Sequence, residues 1–120
     1  MKNTKAIKSI NKILKNLDET GINTDTLIDD IKELRTYALE AEQPLVVKVL
    51  RYTYEHIEKH NSFLIPLLDD EAIDEENAIE QNEEASPVES LKYLIALTAN
   101  LNNKGNISDL KEYKELLMAY

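Results

Sequence analysis

The chain has no cysteine and no tryptophan, one phenylalanine, two glycines and three prolines in 120 residues. Without cysteine there is no disulfide framework, no thiolate metal site and no thiol redox centre. So little glycine and proline leaves few turns for β-hairpins, whereas the plentiful Leu, Ile, Lys, Glu and Ala favour helices. No run approaches the ~18 apolar residues of a membrane span. The lysine-rich start lacks the continuous apolar stretch of a signal peptide. Glycine-rich phosphate loops, Gly-x-Ser-x-Gly elbows and calcium-loop patterns are also missing. These absences predict a cytoplasmic protein with no membrane contact and no cofactor.

Basic residues are scarce in most of the chain. The net charge is −9, yet residues 1–17 hold five lysines and no acid, leaving −14 on the remainder. From His60 to Leu91 there is no lysine or arginine. Phosphate neutralisation needs clustered basic side chains, so nucleic acid is not an expected partner.

What is present is helical periodicity. Over residues 4–17, Ile7, Ile10, Ile13, Leu14 and Leu17 recur on one stripe, with Lys5, Lys8, Lys12 and Lys15 on the opposite, solvated side. Gly21 stops this helix, and Thr24 or Asp25 is placed to cap the next. Leu27, Ile31, Leu34, Ala38 and Ala41 make a narrow stripe to about Glu42, with Ile28, Arg35 and Leu39 as a mixed flank. Pro44 suits a first helical turn and disfavours helix in Gln43. A break this short predicts an antiparallel hairpin.

The third helix, residues 44–60, has an apolar arc covering more than half its circumference, which predicts burial on more than one side. After Asn61, the run Ser62–Leu68 is too apolar for a free loop and should pack down. Residues 69–86 carry nine acidic side chains and only Ile73 and Ile79 as large apolar ones. Composition there favours mobility, because so little apolar area offsets ordering entropy. Ser86-Pro87-Val88-Glu89 reads as a helix start, and that helix runs to about Leu101. Ser108 is the expected cap of a last helix bearing Leu110, Tyr113, Leu116, Leu117 and Tyr120 on one face. The two hairpins share no repeat signature.

Candidate chemistry is confined to the third helix. His56 and His60 are four residues apart and share a face, so they are candidate metal ligands lacking a specified third partner; neither HExxH nor a Glu-x-x-His pair is present. Arg51-Tyr-Thr-Tyr-Glu-His56 resembles the Arg-x4-His spacing of the HEPN family of small all-α, often dimeric ribonucleases. That resemblance implies Arg51 for phosphate charge and His56 for proton transfer. It covers six residues. The family's motif usually lies in the C-terminal part of the bundle with a polar residue after the arginine, whereas here it lies mid-chain and Tyr52 follows. On a straight helix the two side chains project about 140° apart, so a dimer or a local break would have to bring them together.

The expectation is therefore an all-α fold of about five helices in two antiparallel hairpins, a small bundle with central helices 44–60 and 87–101. One helical domain spans 1–120, with the acidic connection at 69–86. The leading functional reading is a non-catalytic protein-interaction or regulatory module, with a protein partner or a homodimer contact on the flanks of Ile28 and Leu39 or of Tyr93 and Leu97. The alternatives are an acidic surface that mimics nucleic acid towards a basic partner, and a HEPN-like ribonuclease or metal-binding bundle using Arg51, His56 and His60.

Overall fold

A computed structural model describes residues 4–65 and 87–120. The amphipathic segments within these become five helices: α1 Thr4–Thr20, α2 Thr24–Glu40, α3 Pro44–His60, α4 Pro87–Leu97 and α5 Lys104–Ala119. No strand occurs among the described residues. The acidic connection at 69–86, the serine cap expected at position 86, and Pro66–Leu68 lie outside them. No helix among the described residues is long and apolar enough to cross a membrane.

Each helix lies against two others, and the contacts close a ring in the order α1–α2–α3–α5–α4. The α2–α3 and α4–α5 pairs are the two expected hairpins. The stripe of α1 is buried through Ala6, Ile10, Ile13 and Leu17. Ile7, expected on that stripe, is 40 % exposed; the small Ala6, one residue earlier, takes the interior position. From α3, Val46, Val49, Leu50, Thr53, His56 and Ile57 are buried, and from α4 Leu91, Leu94, Ile95 and Leu97. Burying a large aliphatic side chain is worth roughly 1.5–3 kcal/mol, so these two helices supply a large share of the core.

Helix ends are where the structure departs from expectation. Asn23, not Thr24 or Asp25, caps α2, its side chain accepting from the Asp25 amide at 3.1 Å. Helix α4 ends at Leu97 rather than Leu101. The amides of Thr98 and Ala99 turn back to the carbonyls of Ile95 and Ala96, and the Thr98 hydroxyl donates to the Ile95 carbonyl at 2.6 Å. These tight i to i−3 contacts satisfy the terminal carbonyls and close the helix. Helix α5 begins four residues before Ser108, because Asn103 Oδ1 accepts from the amides of Gly105 and Asn106. Gly105 sits inside the first turn.

The turns after α1 and α2 use left-handed backbone. Gly21 has φ +71 and donates its amide to the Leu17 carbonyl, ending α1 where Val88 of α4 approaches. Glu42 has φ 55. Its amide donates to Leu39 and that of Gln43 to Ala38, the paired bonds that close a helix through a residue normally glycine.

Polar contacts then pin the ring. Asp30 of α2 is nearly buried and meets Lys12 Nζ of α1 at 3.2 Å, and Asn16 also donates to it. Lys92 of α4 pairs with Asp18 of α1. The Tyr93 hydroxyl donates to Asp109 of α5 at 2.6 Å.

The left-handed positions give a matched test. Gly21→Ala is expected to destabilise the fold by about 1–2 kcal/mol. Glu42→Gly is expected to stabilise it by roughly 0.5–1 kcal/mol, the left-handed penalty less the added freedom of the unfolded chain. Urea midpoints should move in opposite directions with unchanged slope; a lower midpoint for Glu42→Gly would count against the assignment at that turn.

Candidate functional site

The carboxyl-terminal half of α3 and the end of α5 form a shallow cleft of about 150 Å³ lined by Tyr52, Glu55, His56, Lys59, His60, Leu117 and Tyr120. Its floor is set by helical spacing. His56 and His60 are one turn apart, with ring centroids 4.6 Å from each other. The Tyr120 ring stands edge-on to both, at 4.9 Å and 5.1 Å, a favourable aromatic geometry.

His56 is only 6 % exposed. Its Nε2 accepts the Leu64 amide at 2.9 Å. An imidazole nitrogen that accepts carries no proton, so neutral His56 holds its proton on Nδ1. Burial, aided by the neighbouring His60 and Lys59 charges, lowers the His56 pKa from its ordinary value. The Nε2 lone pair is thus committed to the backbone.

That bond has a structural purpose. Asn61, with φ 56, ends α3 in the left-handed region, its amide on the Ile57 carbonyl. The chain then turns down, burying Phe63 and Ile65 while Leu64 stays 43 % exposed. The expected packing of this run is therefore found in residues 61–65, without a helical turn. The Phe63 ring lies 5.6 Å from His56 and 6.3 Å from Tyr113 of α5. The Ile65 carbonyl accepts the Ser90 hydroxyl of α4 at 2.8 Å. The Tyr113 hydroxyl completes this buried knot, 3.3 Å from the Ser90 hydroxyl and donating to the Ser90 carbonyl at the same distance.

The structure brings His56 and His60 together and leaves Arg51 outside their cleft. Arg51 is exposed and pairs with Glu55 one turn on, Nε to Oε2 3.2 Å; this pairing raises the Arg51 pKa. The helix is continuous from Pro44 to His60, so no local break redirects the arginine. Among the described residues no group of three His, Cys, Asp or Glu side chains is placed to hold a metal ion. What the arrangement does chemically is accept one backbone N–H and gather three rings in tilted and edge-on contact. Spacing along α3 pointed to the histidines. Tyr120 and the Leu64 amide left no such signal, because they arrive from other parts of the chain.

A second surface feature lies at the α2–α3 turn. Leu39 is 51 % exposed and borders a groove of about 460 Å³ with Glu42, Gln43, Pro44, Val47 and Lys48. Of the flank residues expected to face a partner, Leu39 is open. Leu97 is buried, Ile28 packs on the core and Tyr93 is tied to Asp109.

Comparison with family models, curated proteins and solved structures finds no match to this chain.

Ser90→Ala would leave the Ile65 carbonyl without its side-chain donor and remove the hydroxyl beside Tyr113. The expected cost is about 1–3 kcal/mol, the usual penalty for stranding a buried polar group. Arg51→Ala should leave both the denaturation midpoint and the His56 titration in place. Chemical denaturation of the two variants, with an NMR titration of the second, checks both.

Proposed function

We propose that this protein is a non-catalytic helical interaction module of the cytoplasm that docks a protein partner at the α2–α3 turn. The observation carrying this reading is the half-exposed Leu39 beside Pro44 and Val47, an apolar strip with Glu42 and Lys48 at its rim. Single exposed leucines are ordinary; several apolar groups lining one groove fit an anchor side chain from a partner. Glu42 strengthens the case. It occupies a left-handed position that glycine would fill at lower energy, and strain of this kind clusters at functional sites. The net charge of −9 favours a partner with basic residues around its apolar anchor and works against self-association at low salt.

Because Leu39 is solvent-facing, Leu39→Glu should fold normally. Pull-down from a cell extract with wild type and variant, alongside sedimentation of each, tests the reading. At least one protein should be retained by wild type and lost, or weakened roughly thirtyfold or more, with the variant, as for an interface hot spot. Concentration-dependent dimers abolished by Leu39→Glu would instead make a second copy the occupant. Identical retained proteins and identical monomers would overturn the proposal.

A further inference from the structure

We infer that His56 is the acceptor of a pH-sensitive latch: neutral, it holds the Leu64 amide and seats residues 61–65 on the bundle, and protonation of its Nε2 releases them. The inference rests on the bond of 2.9 Å from the Leu64 amide to Nε2. An imidazolium has two N–H donors and no acceptor. Once Nε2 is protonated, two donors face each other in a nearly buried site, and the bond is lost with repulsion in its place.

The surroundings make the latch responsive to proton uptake. On α3, His60, Lys59 and Glu55 border the same cleft, and from the end of α5 the Tyr120 ring stands edge-on to both imidazoles. Also from α5, the Tyr113 hydroxyl is held on Ser90. Residues 61–65 bring no ionisable side chain. No carboxylate hydrogen-bonds to His56 among the described residues. Burial and the His60 and Lys59 charges lower the His56 pKa. The native state therefore binds fewer protons than the unfolded chain. Stability from this group is complete above the ordinary histidine value of about 6.5 and is lost as pH falls through the lower folded value.

Release has a defined path. Phe63 and Ile65 on either side of Leu64 are buried, and the Ile65 carbonyl is bonded to Ser90. Loosening Leu64 therefore weakens the seat of two apolar side chains against α3, α4 and α5. This is independent of the docking groove, which lies at the other end of α3.

The test is an NMR titration of the labelled full chain from about pH 7.5 to about pH 5, the range in which histidine changes charge. The His56 imidazole should titrate below the ordinary histidine value, with the Nδ1–H tautomer at neutral pH. The Leu64 amide shift should follow the same midpoint, and its exchange protection, corrected for intrinsic rate, should fall roughly tenfold on loss of the bond. In His56→Gln, whose amide carbonyl can still accept, the Leu64 amide should stop titrating. His60→Gln should keep the coupling and move the midpoint upward. A Leu64 amide unmoved while wild-type His56 titrates would overturn the latch, and so would one that titrates equally in His56→Gln. The wild-type titration decides the question even if His56→Gln does not fold.

Discussion

Five amphipathic helices can close a ring only if the place where non-consecutive helices converge is filled and its backbone groups are satisfied. Here Phe63 and Ile65 enter between α3, α4 and α5, and three side chains hold the backbone that carries them. His56 takes the Leu64 amide, Ser90 serves the Ile65 carbonyl, and Tyr113 bridges to Ser90. A buried carbonyl or amide without a partner would offset much of what Phe63 and Ile65 contribute by leaving water. The two requirements, apolar filling and polar satisfaction, are met within five residues.

This arrangement changes the standing of the histidines. Read along α3 alone, His56 is a candidate ligand or acid–base group. In three dimensions its Nε2 is occupied by a backbone amide, and Arg51, which a HEPN-like site would need, pairs with Glu55 instead. The helical angle of about 140° between positions 51 and 56 is preserved in a continuous helix. Gaining a proton at Nε2 would cost His56 its bond to the Leu64 amide.

The all-α class, the two hairpins and the identity of the core stripes were legible because 3.6-residue periodicity is a local property. Helix ends were less so. Asn23 and Asn103 lie outside the periodic stripes, yet a side-chain oxygen aimed at amides two or three residues on makes each a cap. Ser108 had equally good capping chemistry but lies inside a helix already started by Asn103. Of the two glycines only Gly21, which does end a helix, has a left-handed φ. The role of Leu64 was not legible at all. Its contribution is a main-chain N–H, which every residue but proline possesses, and only the turn at Asn61 aims it at His56. Likewise, Tyr93 and Leu97 looked like a free flank, yet α5 brings Asp109 to the Tyr93 hydroxyl and Leu97 is buried.

The ring also divides the chain by sequence distance. Contacts of α1 with α2, α2 with α3 and α4 with α5 join neighbours in the chain, whereas α3 meets α5 and α1 meets α4 only across long separations, 74 residues for Lys92 and Asp18. Local pairs carry little loop-closure entropy, while the two distant seams carry most of it. The molecule is thus a three-helix sheaf and a two-helix clasp, each made of adjacent segments and joined along two edges. Residues 61–65, anchored on α3 and reaching α4 and α5, tie the clasp to the sheaf beside the α3–α5 edge, so a segment of five residues joins both parts of the molecule.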